Sequence, residues 1–166
     1  MLNKASKASA KTQGPFCSQK ICQILVKHGL IVVEQAKEIL KRKDKYFEKL
    51  EKVRRIGRNR SDIRISNPVT IVDVIASMNL KRADAPSQLL DEEIIFQVLS
   101  KEWKMQYKKI DPLKLDLNLV TTTITKSFAM NHLILPVAVE DGCLTVATSN
   151  PFNMEALEDV ARASKM

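Results

Sequence analysis

Aromatic side chains make up only 5% of the 166 residues, so whatever core this chain builds is aliphatic. The same scarcity leaves few flat rings on which unpaired bases could stack, which argues against single-strand nucleic-acid binding. Glycine is scarce too: Gly14, Gly29, Gly57 and Gly142 stand far apart. No GxxxxGK followed by Ser or Thr is present, so there is no loop to cradle a triphosphate and no lysine placed to reach it. No apolar run approaches the roughly 20 residues of a membrane-spanning helix. Cys17, Cys22 and Cys143 are odd in number and form no CxxC pair, and His28 and His132 lie far from any cysteine pair. Reduced, incidental thiols are expected, with no metal site.

What the chain has is aliphatic content, charge and helical periodicity. Apolar content of 45% and charged content of 28% suit one ordinary domain or two small ones. The net charge of +8 is concentrated: eleven basic and four acidic residues lie between Lys37 and Arg60, carrying about seven of the eight net charges. The basic patch is read as Lys41, Arg42, Lys45, Lys49, Lys52, Arg54 and Arg55. It suits a solvated helix face, contact with anionic lipid, or nucleic-acid phosphate; nucleic acid is the least expected, for want of aromatic platforms and a base-reading helix.

Residues 1–17 read as a disordered basic arm without the apolar stretch of a secretory signal. Ser18 is placed to cap a helix carrying Ile21, Ile24 and Leu25 inward and ending at Gly29. A second helix is expected over 33–56, with Ala36, Ile39, Leu40, Phe47, Leu50 and Val53 along one stripe and a polar loop from Gly57 onward. A third helix is expected from Asn67-Pro68, carrying Val69, Ile71, Val72, Val74, Ile75 and Met78. A fourth starts at Asp91, where Glu92 and Glu93 suit the positive end of the helix dipole, and runs to about Trp103. Trp103 and Met105 are expected to close the helical core. Leu25 before Gly29 and Ile75 before Asn79 sit four residues ahead of their turns, an echo of helix, turn, helix in two places.

After that the pattern changes. Tyr107 to Ile110 reads as a short strand and Asp111-Pro112 as a turn. Leu117, Val120, Ile124 and Phe128 have helical spacing with a break near Thr121 to Thr123. Leu133 to Glu140 and Cys143 to Thr148 alternate as strands about the tight Asp141-Gly142 turn. Asn153 then caps a helix with Met154, Leu157, Val160 and Ala161 as its apolar positions. His132, between helix and strand, reads as a helix-end or loop histidine; no serine or cysteine accompanies it in a catalytic order. The fold class is α+β: a helical subdomain over 18–108, with a basic insertion at about 41–66, then a small α/β subdomain with a β-hairpin over 109–166.

The wording ILPVAVEDGCLTVATSNPFNMEALEDV, with LLDEEIIFQVLSKEW before it, resembles the N-terminal regions of type II secretion and type IV pilus assembly ATPases. The resemblance covers roughly Ser18 to Arg162. It implies a cytoplasmic module, peripheral at the inner membrane, whose helical part docks on the cytoplasmic domain of an inner-membrane platform protein. It implies no catalysis and no cofactor in this chain, with ATP and magnesium belonging to a motor domain elsewhere. Relatives continue with another strand, so the α/β part is expected to be truncated, and a monomer is expected. Gln23, Lys27, Gln35 and Glu38 are the candidate contact residues for the platform. Some relatives bind cyclic di-GMP through a duplicated Arg-Leu-Gly-x-x-Leu-x-x-x-Gly motif. Aligning it here places Lys20, Cys22 and Gly29 in the first copy and Thr70, Val72 and Asn79 in the second. Lysine lacks the bidentate fork of arginine, and Cys22 and Val72 put side chains where glycine backbone would approach a ligand. Lys20, Gly29 and Thr70 are therefore kept as an alternative site.

Overall fold

The computed structural model describes residues 14–56 and 67–164. Most of the basic arm, and residues 57–66 of the expected polar loop, lie outside the described residues. The elements run α1 (Ser18–Lys27), α2 (Val33–Ile56), α3 (Ile71–Ser77), α4 (Glu92–Glu102), a 3-10 turn (Pro112–Lys114), α5 (Leu117–Thr123), α6 (Lys126–His132), β1 (Ile134–Glu140), β2 (Cys143–Thr148) and α7 (Met154–Ser164). Helices fill the first half and an antiparallel hairpin enters the second, so the fold is α+β. By internal contacts the chain divides into two compact units, one of residues 1–53 with 69–107 and one of 54–68 with 108–166.

The first unit is built on aliphatic burial. Ile21, Leu25, Ile39, Val74, Ile75, Ile95 and Leu99 are wholly buried, and Phe16, Phe47, Leu50 and Trp103 pack on the edge of this cluster. Residues expected in the arm take part: Cys17 is buried, its N–H donates to the Gly14 carbonyl at 3.1 Å, and the Phe16 ring lies 5.9 Å from that of Trp103. Cys17, not Ser18, holds the N-cap position of α1, and its side chain makes no cap bond. At the other end, Gly29 takes φ +71°, its N–H donates to Val26, and that of Leu30 donates to Leu25 at 2.9 Å. That reciprocal pair satisfies carbonyls the helix end would otherwise leave open.

Helix α2 has the expected bounds, but of its apolar stripe only Ile39 is fully buried, and Val53 is 60% exposed. Helix α3 starts later than Pro68, because Thr70 and Asp73 form a capping box. The Asp73 N–H donates to the Thr70 hydroxyl, and the Thr70 N–H donates to the Asp73 carboxylate. A complete reciprocal cap outweighs proline's indifference at a helix start. Asn79 follows α3 with φ +51°, the left-handed residue matching Gly29 after α1. Asp91 caps α4, accepting from the Ile94 N–H at 2.8 Å. Met105 is exposed, so Trp103 edges the core without it.

The strand expected over Tyr107 to Ile110 does not form, as nothing among the described residues pairs with it. The helical break falls at Ile124-Thr125 instead of within Thr121 to Thr123: the hydroxyls of Thr121, Thr122 and Thr123 bond back to carbonyls one turn earlier and stay helical, while Thr125 caps α6. Leu133 lies outside the strand, at φ +53°, as the left-handed end of α6. The hairpin turns on Asp141 (φ +50°) and Gly142 (φ +76°), both left-handed as such a two-residue turn demands. Its register shifts between Pro136 and Ala138, leaving Val137 as an extra residue. Asn153 caps α7, whose Ala156 and Val160 are buried with Ile124 and Ile134; Met154 and Ala161, expected inward, are exposed.

Candidate functional site

Three of the four expected contact residues are already engaged within the first unit. The Lys27 ammonium donates to Glu102 at 2.7 Å, and His28 Nε2 lies 2.9 Å from the same carboxylate. The hydrogen bonds from Lys27 and then His28 hold Glu102 below the ordinary glutamate range. Gln35 Oε1 accepts from the Val32 N–H at 2.9 Å, which caps the start of α2 from its third position, while its amide donates to the Lys81 carbonyl at 2.9 Å. Glu38 pairs with Arg42 one turn on. Gln23 alone is exposed with no partner among the described residues.

The positions aligned with the dinucleotide motif differ in kind. Lys20 and Gly29 are exposed, Lys20 in the first turn of α1 and Gly29 in the left-handed turn past its end. Thr70 both accepts from the Asp73 N–H and donates to the Asp73 carboxylate, so its hydroxyl serves the helix cap. Cys22 and Val72, at the places of the motif's first glycines, are core residues 2% and 1% exposed. Burial, with the nearby Cys17 next, pushes the Cys22 thiol up to about 11.

The basic residues of α2 do not form one uniform face. Lys41, Arg42, Lys45, Lys49, Lys52 and Arg55 are exposed, whereas Arg54 is half-buried and donates to the carbonyls of Asn67 and Pro68. Arg42 also stands over the Tyr46 ring, 5.6 Å from its centre.

A feature the sequence reading missed is a shallow concavity of about 630 Å³ where α3 meets the loop before α4. Ala76, Leu90 and Phe96 form its apolar wall, with Tyr107 beside them and Asp91, Glu92 and Glu93 around it. Leu89, half exposed, projects at this place from a loop pinned by the Lys81–Leu89 bridge and by Arg82, which pairs with Asp84 and Gln88. The signal was present as two leucines set directly before a helix cap, one more than a core position needs. In the second unit, His132 ends α6 with its ring 4.5 Å from Phe128 and Nδ1 3.5 Å from the Asn153 amide. Among the described residues no group of His, Cys, Asp and Glu is placed to hold a metal ion, and no helix is long and apolar enough to cross a membrane.

The α6–β1–β2–α7 arrangement gives the quoted hairpin-and-helix wording its shape: a proline-bearing strand, a tight Asp-Gly turn, a return strand and an asparagine-capped helix. Residues 103–166 match the family model of the MshEN domain. This is the N-terminal, non-motor domain of type II secretion and type IV pilus ATPases, so the likeness drawn from the sequence holds over this segment. The MshEN match takes in the last residues of the first unit, the 3-10 turn, α5 to α7 and the hairpin; residues 1–102 lie outside it. No curated protein and no solved structure matches the chain.

Proposed function

We propose that this chain is a non-catalytic docking module of a secretion or pilus assembly ATPase, and that it binds the cytoplasmic part of an inner-membrane platform protein. The MshEN match of residues 103–166 carries the reading. The lack of any phosphate-cradling glycine loop in the sequence supports it: ATP and magnesium belong with a motor domain, and this chain contributes attachment. The place of action is then the cytoplasmic side of the inner membrane.

The contact face assigned here is the concavity beside α4, in preference to the surface around Gln23, Lys27, Gln35 and Glu38, because most of that surface is committed to internal bonds. Leu89 and Phe96 supply apolar area for a partner's apolar anchor. A pull-down with the platform's cytoplasmic domain tests this. Binding is expected, with Leu89→Asp weakening it at least tenfold and Gln23→Ala leaving it unchanged. Failure of both this chain and the full-length ATPase to bind would remove the docking reading; nucleotide turnover by the purified chain would remove the non-catalytic one.

Cyclic di-GMP binding through Lys20, Gly29 and Thr70 is the lesser reading, since the Thr70 hydroxyl serves a helix cap and Cys22 and Val72 are held in the core. Calorimetry with the dinucleotide separates the two; micromolar or tighter affinity would reverse this order.

A further inference from the structure

One row of α2 carries three lysines that make no ion pair among the described residues. Arg42, Lys45, Lys49 and Lys52 follow each other at spacings of three, four and three, and at about 100° per residue they fall within about 80° of the helix circumference. The row is straight and about 15 Å long. Lys45, Lys49 and Lys52 are exposed and make no ion pair among the described residues; only Arg42, through Glu38, is partly neutralised. Asp44, Glu48 and Glu51 lie about 80–140° round the helix from the centre of the row. Glu48 is one turn from Lys52, the favourable order for a pair, yet the two do not join. Lys41, Lys45 and Lys49 instead repeat at four-residue spacing, and like charges so placed disfavour the helix. The row therefore keeps a repulsion that an anionic surface relieves. Val53, 60% exposed, stands at the end of the row.

We propose that this row is a docking face for an anionic phospholipid surface, with the three lysines on headgroup phosphates and Val53 in the interfacial layer. This is independent of the platform-docking reading, which uses the concavity beside α4. Lipid fits better than nucleic acid for reasons of chemistry. Apart from Arg42, which Glu38 holds, the row offers ammonium point charges in place of the forked guanidinium that reads phosphate or base edges in pairs. Its nearest ring, Tyr46, has Arg42 5.6 Å from its centre and packs against the aliphatic core. An apolar valine beside lysine stems suits the boundary between headgroup and acyl chain, where those stems can lie along apolar surface while the charge stays wet.

The test is flotation of the full chain with phosphatidylcholine vesicles, with and without phosphatidylglycerol, at about 0.15 M salt, where weak nonspecific attraction is screened. Binding to the phosphatidylglycerol vesicles alone is expected. Changing Lys45, Lys49 and Lys52 together to Gln is expected to lower partitioning about 100-fold, from about fivefold per cation near an anionic surface. Changing Lys101, Lys108 and Lys126 to Gln, which leaves the same net charge, is expected to cost only a few-fold. Val53→Ser, which removes the apolar side chain without changing the charge, is expected to weaken vesicle binding while leaving any duplex DNA binding unchanged. Lys→Gln removes repulsion at little cost in helix propensity, so circular dichroism is expected to show α2 intact. Equal losses from the two triple variants would overturn the proposal, as would wild-type chain that ignores the charged vesicles. Stronger retention on duplex DNA than on vesicles at equal phosphate would assign the row to nucleic acid and overturn it too.

Discussion

At the residue scale, side chains mostly answer to their immediate neighbours. Cys17 and Cys22 are buried and Cys143 is exposed. Thiolate is the reactive form, and burial pushes Cys22 up to about 11, so it stays protonated at neutral pH. Titration with a disulfide reagent at pH 8 is expected to modify Cys143 alone in the native protein and all the thiols in denaturant. Glu102 is depressed by Lys27 and His28, which places its contribution on one side of a pH window. A carboxylate with a lowered folded pKa stabilises above its unfolded value, and that gain is lost as pH falls through the folded value. Urea denaturation of wild type and Glu102→Gln is therefore expected to differ at pH 7, with the difference shrinking below the ordinary glutamate range and vanishing once the carboxyl is protonated. The sequence offered no sight of this cluster: Lys27 and Glu102 are 75 positions apart, and only the packing of α1 on α4 joins them.

At the element scale, what could be read in advance was what local chemistry decides. The bounds of α2, the Asp91 start of α4, the Asp141-Gly142 turn and the asparagine cap of α7 each depend on residues within one turn of one another. The errors have a common origin. Pro68 was weighed without the Thr70–Asp73 box that begins two residues on, and the apparent strand over Tyr107 to Ile110 had composition but no pairing partner among the described residues. Val53 lies on the expected stripe of α2, yet it stays 60% exposed. Thr70→Ala is expected to destabilise the first unit by about 1 kcal/mol in chemical denaturation. Gly29→Ala is expected to cost about 1 kcal/mol as well: a Cβ there meets nothing within 4 Å, so the cost is the left-handed backbone alone.

At the scale of the whole molecule, two cores of unequal size lie along one chain. The first gathers side chains from α1 to α4, while the second has Ile124, Ile134, Ala156 and Val160 as its buried members. Smaller cores leave less apolar burial against the entropy of ordering. Hydrogen exchange is expected to show α1 and α4 amides protected longer than those of β1 and β2. Ile75→Ala is expected to cost about 2–5 kcal/mol and to speed exchange in the first set. The candidate site was the least legible part, because a concavity is a meeting of elements and leaves only a surplus leucine as its trace. The hairpin of the smaller unit is all edge, and exposed strand edges invite neighbouring molecules to add on. Pro136 interrupts the row of donors along β1, and the extra residue beside it twists the strand, so a second molecule finds no flat template there. Pro136→Val restores the missing donor, and light scattering is expected to show more self-association for that variant than for the wild-type chain.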